Sequence, residues 1–245
     1  MTATVLPGLV LSILLALLST GSALAAPINA TQLKLLHSIR DGIGHSDVCV
    51  KDHCACPAAS WTTDAQTDPC TWQGVSCDAG TEARQVVELS VSFCGLTDVP
   101  DAVLQLTSLQ TLDLRDNFLT ALPSGFNSLE ALENLYLSGN LLAALHPVVF
   151  ELDLKLLHVA RNLLQTVPAE IGALSWSLSE ISLAYNPLGS LSKHFCELEL
   201  LSNVNLAHAG LTGPLPLCLG QLTNLQRLDL SHNAVFFPVD DHGRS

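Results

Sequence analysis

Between residues 86 and 235, aliphatic and polar positions follow one pattern, L-x-x-L-x-L-x-x-N-x-L, seven times at intervals of 22 to 24 residues. Positions one, four, six and eleven are aliphatic. All 28 of these positions contain Leu, Ile or Val, although only 48% of the chain is hydrophobic. Because positions four and six lie two apart, a strand points both side chains to one face, and positions three, five and seven point to the other. The pattern predicts one half-buried strand per unit.

This repeat length and spelling are the signature of a leucine-rich repeat solenoid. We predict an α/β fold, a right-handed coil that carries a parallel β-sheet on its concave face. Each coil buries roughly four aliphatic side chains, worth about 1.5–3 kcal/mol each. Ordering about 23 residues consumes most of that gain, so a single coil is not stable and neighbouring coils must stack.

The ninth position of the pattern is expected to hold the turn that leaves each strand. In five units it is an amide side chain, which can bond backbone groups that would otherwise be buried unpaired; these are Asn117, Asn140, Asn162, Asn186 and Asn233. The first and sixth units have Cys94 and Ala209 instead. Cys replaces Asn as a weak donor in leucine-rich repeat proteins, so we expect that role for Cys94. At Ala209 we expect a water or a rearranged turn.

The chain divides into four predicted segments. The segment at 1–25 is a secretory signal, with an apolar run from Leu9 to Leu18 and small residues before the expected cut. Because no Lys or Arg precedes that run, an uncleaved anchor is the alternative. The other segments are an N-terminal cap at 26–85, the repeats at 86–237 and a short tail at 238–245.

Composition supports export. The chain has eight Cys, an even number that favours disulfides, and one glycosylation sequon, at Asn29. The formal net charge of −13 disfavours nucleic acids and anionic membrane surfaces as partners, since both require basic patches. No second long apolar segment follows the signal, so we expect no direct membrane insertion after its removal. The predicted localisation is secreted or extracellular.

The predicted cap contains a helix and a specific motif. Aliphatic residues recur at helical spacing at Ile28, Leu35, Leu36, Ile39 and Ile43. The segment Asp68–Asp78 reads D-P-C-T-W-Q-G-V-S-C-D and resembles the N-terminal cap of plant-type leucine-rich repeat proteins. That resemblance implies a Cys70–Cys77 disulfide. Trp61 and Trp72 are expected to pack against the first coil.

The remaining cysteines allow several arrangements. An insertion absent from the plant pattern contains Cys49, Cys54 and Cys56, with two histidines nearby, which are suitable ligands for zinc. Exported thiols normally oxidise, so disulfides are favoured over a metal. These three cannot all pair among themselves, so one needs a partner elsewhere, such as Cys94. The spacing leaves open whether Cys196 and Cys218 pair.

Side chains that point outward from the strands form the predicted partner-binding surface. Position five places Asp113, Tyr136 and His158 on consecutive strands about 4.8 Å apart. Tyr and Arg are enriched in binding hot spots. We therefore predict a binding set of Asp113, Arg115, Tyr136, His158, Arg161 and Tyr185. Small residues at position seven of the later units leave room for a partner to approach.

No catalytic or phosphate-binding motif is present and disulfides are favoured over a metal, so we expect neither an enzyme nor a cofactor. The resemblance implies a receptor-ectodomain-like recognition module for a protein or peptide. The alternatives are a soluble inhibitor of an extracellular wall-degrading enzyme, similar to polygalacturonase-inhibiting proteins, an N-terminal fragment of a longer membrane receptor-like protein, and a structural or adhesive wall protein.

The carboxyl end of the repeats lacks a recognisable cap. The seventh unit ends at Phe236 and Phe237, and the residues that follow are too few for a disulfide-bonded cap. We expect either that these two side chains fold over the last coil or that another molecule associates with this uncapped C-terminal end.

Overall fold

The computed structural model describes residues 26–43, 56–62, 67–80 and 83–238. The predicted signal, Cys49, Cys54 and residues 239–245 lie outside these ranges. In the described part, the seven predicted units form seven stacked coils, numbered here one to seven in chain order. The predicted leucine-rich repeat solenoid is confirmed.

Seven parallel strands, one from each coil, and one antiparallel strand from the cap form the main sheet in the order β1-β2-β3-β4-β5-β6-β7-β9. They are β1 (Val75–Cys77), β2 (Val86–Ser90), β3 (Thr111–Asp113), β4 (Asn134–Tyr136), β5 (Leu156–His158), β6 (Glu180–Ser182), β7 (Asn203–Asn205) and β9 (Arg227–Asp229). A second, parallel pair joins β8 (Thr212–Pro214) to β10 (Ala234–Phe236). Equivalent residues of neighbouring coils pair directly, because the sheet register follows the sequence repeat.

Short 3₁₀ helices return the chain on the convex side. They are Val103–Gln105, Phe126–Ser128, Pro147–Glu151, Ala169–Trp176, Lys193–Glu197 and Leu217–Gln221. The core lies between these helices and the sheet; in the third coil Leu132, Leu135, Leu137 and Leu142 are completely buried. None of the helices in the described ranges is long and apolar enough to cross a membrane.

The cap covers the first coil with a helix and two tryptophans. Helix α1 (Ala30–Ile43) buries Leu36 and Ile39 completely. The indoles of Trp61 and Trp72 are buried and stack with their centroids 5.5 Å apart. Trp61 also donates from Nε1 to the carbonyl oxygen of Gln73 at 2.9 Å. The expected packing role of both tryptophans is confirmed.

Three disulfides join the described residues. The Cys70–Cys77 bond implied by the cap motif is present. Cys56 pairs with Cys94, so this member of the cap insertion finds its partner in the first coil. Cys196 and Cys218 pair on the convex side, which answers the question left open by their spacing.

The side-chain amides at the ninth position bond backbone groups of the turns, as expected. They follow one another from coil to coil, and we call them the amide ladder. Asn140, for example, donates from Nδ2 to the carbonyl oxygens of Leu114 and Leu137 and accepts from the backbone N–H of Leu119, all within 3.0 Å. Its donors thus reach the strand of its own coil and that of the preceding coil. Each amide therefore links two coils as well as closing a turn.

The role expected for Cys94 is wrong, because its sulfur is bonded to Cys56 and has no proton to donate. The backbone N–H of Cys94 donates instead to Oδ1 of Asn117. At Ala209 the turn is rearranged, as expected: the N–H of Leu188 donates to the carbonyl oxygen of Ala209 at 2.9 Å.

Candidate functional site

The strand register brings the position-five side chains into one line on the concave face. In order, these are Ser90, Asp113, Tyr136, His158, Ser182, Asn205 and Asp229. A second line, at position three, runs beside it through Glu88, Thr111, Asn134, Leu156, Glu180, Asn203 and Arg227. Asp113, Tyr136 and His158 therefore lie on one wall of the molecule, as the repeat predicts.

Asp113 and Arg115 form a hydrogen-bonded ion pair. The carboxylate of Asp113 accepts from Nε and Nη2 of Arg115 at 2.9 and 2.8 Å, and from the hydroxyl of Ser90 at 3.2 Å. The bond to Asp113 raises the pKa of Arg115 above its ordinary value. Asp113 is only 9% exposed. It is therefore suited to positioning Arg115 and offers little surface to a partner.

Tyr136 stands between this pair and the next coil. The guanidinium of Arg115 lies 5.3 Å from the centroid of its ring, and the ring of His158 meets it edge to face at 5.4 Å. His158 Nε2 is 2.8 Å from Oε1 of Glu180. These contacts hold Tyr136 and His158 upright on the face, because each ring is supported from both sides.

A stack of side chains follows the position-eight turns of coils four to seven, and we call it the aromatic ladder: Arg161, Tyr185, His208 and His232. Arg161 lies 5.4 Å from the centroid of the Tyr185 ring. Tyr185 stacks on His208 at 4.5 Å, and His208 stacks on His232 at 3.9 Å with only 10° between the ring planes. All four side chains are exposed.

The backbone of the aromatic ladder is in the left-handed region, with φ between 53° and 58° at all four positions. This conformation favours Gly, Asn and Asp, and it costs other residues roughly 1–2 kcal/mol each. Within the described ranges Arg161 forms no ion pair. The same backbone conformation occurs at position eight of the first three coils, for example at Phe93 and Asp116, so it belongs to the turn of the repeat. What distinguishes the aromatic ladder is its exposed stacked rings and an arginine without an ion pair, side-chain types that are enriched in binding surfaces.

The concave face has a depression of about 320 Å³ between coils four and seven. It is lined by His158, Glu180, Ile181, Ser182, Asn203, Val204, Asn205 and Arg227. It begins where the bulky rings of Tyr136 and His158 give way to Ser182 and Asn205 along the position-five line. Glu180 is fixed by contacts with His158 and with Nδ2 of Asn203, the latter at 3.4 Å. The guanidinium of Arg227 forms no ion pair with any described residue.

The six predicted binding residues are all on or beside the concave face, and their role in binding stays a prediction. The structure brings Asp113, Arg115, Tyr136 and His158 into one network, whereas Arg161 and Tyr185 belong to the separate aromatic ladder. The prediction missed the lining residues Glu180, Asn203, Asn205 and Arg227, and it missed His208 and His232. The small residues at position seven, such as Ala184 and Ala207, were the signal that the later coils leave space.

No group of three or more metal-ligating side chains occurs among the residues that the structure describes. His45, Cys49, His53 and Cys54, which entered the metal alternative, lie outside them. Asn29, in the glycosylation sequon, is partly exposed and precedes α1, where its Oδ1 accepts from the backbone N–H of Thr31 at 2.9 Å. Glycosylation of Asn29 stays a prediction.

Comparison with known proteins finds one family match in the cap and one in the first coils. A leucine-rich repeat profile matches residues 84–142, and a leucine-rich repeat N-terminal domain profile matches residues 29–78. Human oligodendrocyte-myelin glycoprotein is 28% identical over 190 residues, which are 76% of this chain and 42% of that protein. Pollen receptor-like kinase 1 of Arabidopsis thaliana is 40% identical over 82 residues, which are 34% of this chain and 12% of the kinase.

Among solved structures, the chain is similar to the Arabidopsis receptor kinase HAESA, determined in complex with the peptide hormone IDA and the co-receptor SERK1. The identity is 27% and the TM-score 0.64, covering 84% of this chain and 38% of that one. The chain thus spans less than half the length of these relatives. The two profiles and the observed coils show leucine-rich repeats behind an N-terminal cap, and in both parts the chain is similar to plant-type leucine-rich repeat proteins.

Proposed function

We propose that this chain is a secreted, non-catalytic recognition module, similar to a receptor ectodomain, that binds a protein or peptide through the concave face of coils three to seven. The observation that carries the proposal is the depression beside Tyr136 and His158, where these half-buried rings and the exposed Arg227, which has no ion-pair partner among the described residues, border small side chains. An extended peptide fits such a surface because it can lie across several coils and bond polar groups in each. The similarity to a peptide-bound receptor kinase supports this ligand class.

Catalysis is not part of the proposal, for a geometric reason. His158 and Glu180 form a pair, and Ser182 lies opposite His158 on the next strand. No hydrogen bond joins Ser182 to His158 within the described residues, so the serine is not activated. The face is also open to water, whereas catalytic groups generally need a site that excludes it.

Secretion rests on the apolar N-terminal segment and on the disulfides. The three disulfides among the described residues are suited to an oxidising compartment, since cytosolic reductants keep most thiols free. The charge of −13 argues against nucleic acid as the partner. The partner is instead a protein or peptide that meets the chain outside the cell.

The experiment is selection of a phage-displayed library of random peptides on the immobilised chain from residue 26 onward. Enriched peptides are then measured against two triple alanine variants, one at Arg115, Tyr136 and His158 and one at Tyr185, His208 and Arg227. We expect at least one variant to weaken binding by about tenfold or more, since hot-spot truncations cost about 2 kcal/mol.

A matched control replaces three exposed convex-side residues, Gln105, Glu130 and Glu199, by Ala, and it should bind like the native chain. Circular dichroism confirms that every variant is folded. Peptides that bind all three variants equally would contradict the proposal. A selection that yields no peptide dependent on the concave-face residues would also contradict the proposal.

A further inference from the structure

The depression on the concave face is lined by an acidic side chain toward one end and a basic side chain toward the other. Glu180 of β6 pairs in register with Asn203 of β7, and Asn203 pairs in register with Arg227 of β9. Neighbouring strands of a sheet are about 4.8 Å apart, so the two charged positions are about 10 Å apart along the coils. A ligand in the depression therefore meets a carboxylate and a guanidinium at a fixed separation.

The carboxylate of Glu180 is held in place, but no lysine or arginine neutralises it. Its Oε1 lies 2.8 Å from Nε2 of His158, and its Oε2 accepts from Nδ2 of Asn203 at 3.4 Å. Among the described residues, His158 is its only ion-pair contact, because Lys155 pairs with Glu133 instead. The side chain of Glu180 is 36% exposed, and carboxylate oxygens accept several bonds each. Glu180 can therefore accept from a cation on a ligand.

Arg227 presents a guanidinium to the other end of the depression. Its side chain is exposed and lies at position three of its strand, as those of Asn203 and Glu180 do. The carboxylate of Asp229 accepts from the backbone N–H of Ser231 at 3.0 Å, and within the described coils it forms no ion pair with Arg227. Since a guanidinium binds a carboxylate through two parallel bonds, Arg227 is suited to an acidic group on a ligand.

Short polar side chains lie between the two charges. They are Ser182 on β6 and the amides Asn203 and Asn205 on β7. Oδ1 of Asn205 accepts from the backbone N–H of Ala207 at 3.1 Å, which leaves the Nδ2 amide to donate to a ligand. Side chains of this size leave room for a chain of atoms that joins a cation to a carboxylate, and their amides can bond its peptide groups.

We propose that the depression selects peptides that carry a basic and an acidic side chain about 10 Å apart, with Glu180 binding the basic one and Arg227 the acidic one. This inference rests on the proposed function, because it names the chemistry of the peptide that the same face binds. A peptide with the wrong charge at either end meets like-charge repulsion, which gives the site its specificity.

The spacing predicts a sequence pattern in the ligand. A polyproline II peptide rises about 3.1 Å per residue and has three residues per turn, so side chains at i and i+3 share one face about 9 Å apart. This separation matches that of Glu180 and Arg227. We therefore expect a basic residue and an acidic residue three positions apart in peptides that bind here.

The probes are the peptides enriched by the phage selection on the chain from residue 26 onward. Those that bind less well to either concave-face triple variant should share a Lys or Arg and an Asp or Glu three positions apart. The strongest binder is then synthesised with an acetylated N-terminus and an amidated C-terminus, so that only its side chains are charged. Isothermal titration calorimetry measures its Kd.

Charge exchange between peptide and protein assigns each contact. Glu180→Lys and Arg227→Glu should each weaken binding of the original peptide by about tenfold or more, because an attraction becomes a repulsion. A peptide whose basic residue is changed to Glu should regain binding to Glu180→Lys and not to Arg227→Glu. A peptide whose acidic residue is changed to Lys should regain binding to Arg227→Glu alone.

Two charge reversals on the convex side are the matched controls. Glu130→Lys and Lys193→Glu change exposed residues and should bind the original peptide like the native chain. Circular dichroism shows whether each variant is folded. Glu180→Gln keeps an acceptor for His158 and removes only the charge, so it should still weaken binding if Glu180→Lys does not fold.

The outcomes separate this inference from the proposed function. Peptides that depend on the concave face but lack the two charges would overturn the inference and leave the proposed function standing. Charge reversals without the matching rescue would do the same. A selection that enriches no peptide dependent on the concave face would contradict the proposed function and this inference with it.

Discussion

Arg115 is fixed to Asp113 by two parallel hydrogen bonds, from Nε to Oδ1 and from Nη2 to Oδ2, and this orientation places its guanidinium over Tyr136. The two partners differ in exposure, because the side chain of Arg115 is 50% exposed and that of Asp113 only 12%. Removal of Asp113 and removal of Arg115 should therefore change the free energy of unfolding by different amounts.

Replacement of Asp113 by Ala should lower the free energy of unfolding by about 2 kcal/mol, because Ser90 and the backbone N–H of Arg115 lose an acceptor in a partly buried site. Arg115→Ala should cost about 0.5 kcal/mol, since its head group is solvated and exposed ion pairs are weak. Urea unfolding of both variants measures the difference. Equal losses would contradict this account of the pair.

Each asparagine of the amide ladder should contribute more to the free energy of unfolding than an asparagine on the surface. Asn140→Ala removes three bonds at a 4% exposed position and should cost about 2–4 kcal/mol. Asn127, whose side chain makes a single exposed bond to Glu151, is the control, and its replacement by Ala should change stability by at most about 0.5 kcal/mol. Chemical denaturation reports both values, and a similar loss in the two variants would refute the ladder's role.

The Cys56–Cys94 bond should stabilise the molecule more than the Cys70–Cys77 bond. The first closes a loop of 38 residues and the second a loop of 7. The chain-entropy relation gives about 4 kcal/mol for the longer loop and about 2 kcal/mol for the shorter one. Paired Cys→Ala variants, compared by urea unfolding, test this order. The reverse order would show that native-state contacts of the cap outweigh loop closure.

The pKa of Asp229 is lowered first by the hydroxyl of Ser231 and then by its backbone N–H. A carboxyl with a lower pKa in the folded state stabilises that state at neutral pH. The contribution is lost as the pH falls from the unfolded-state value through the folded-state value. Ser231→Ala should raise the pKa of Asp229 toward its ordinary value, measured by NMR titration of the carboxyl carbon. An unchanged titration would exclude the hydroxyl as the cause.

Trp176 is 88% exposed, whereas Trp61 and Trp72 are 5 and 7% exposed, and these are the three tryptophans of the chain. Acrylamide must collide with an indole to quench it, so nearly all quenching should come from Trp176. Trp176→Phe should leave an emission that acrylamide barely reduces until the protein unfolds. Strong quenching of the folded variant would show that the cap indoles are accessible.

The periodicity of the chain predicts the coils because the aliphatic positions recur wherever the core needs a buried side chain. Leu112 and Leu135 recur at a fixed spacing, and stacking of equivalent positions in neighbouring coils buries both completely. The aromatic ladder was not predicted, although His208 and His232 are visible at equivalent positions. Their stacking depends on a positive φ at each turn, and a hydrophobic pattern carries no information about that angle.

Two further features depend on distance in space and not on spacing in sequence. Cys94 occupies an amide position, so the sequence suggests both a donor in the turn and a disulfide partner for the cap insertion, and only the placement of the cap shows that it pairs with Cys56. The depression near Arg227 arises where tall rings in one coil are followed by small side chains in the next. This difference in side-chain size forms a depression only once the coils are stacked side by side.

The Cys56–Cys94 bond holds the first coil more firmly than the later coils. The first coil is covalently tied to the cap, whereas the described contacts of the seventh coil come mainly from the sixth. In a linear array of this kind, local opening begins where neighbours are fewest. The coils tied to the cap should therefore open least often, so that their amide hydrogens exchange most slowly.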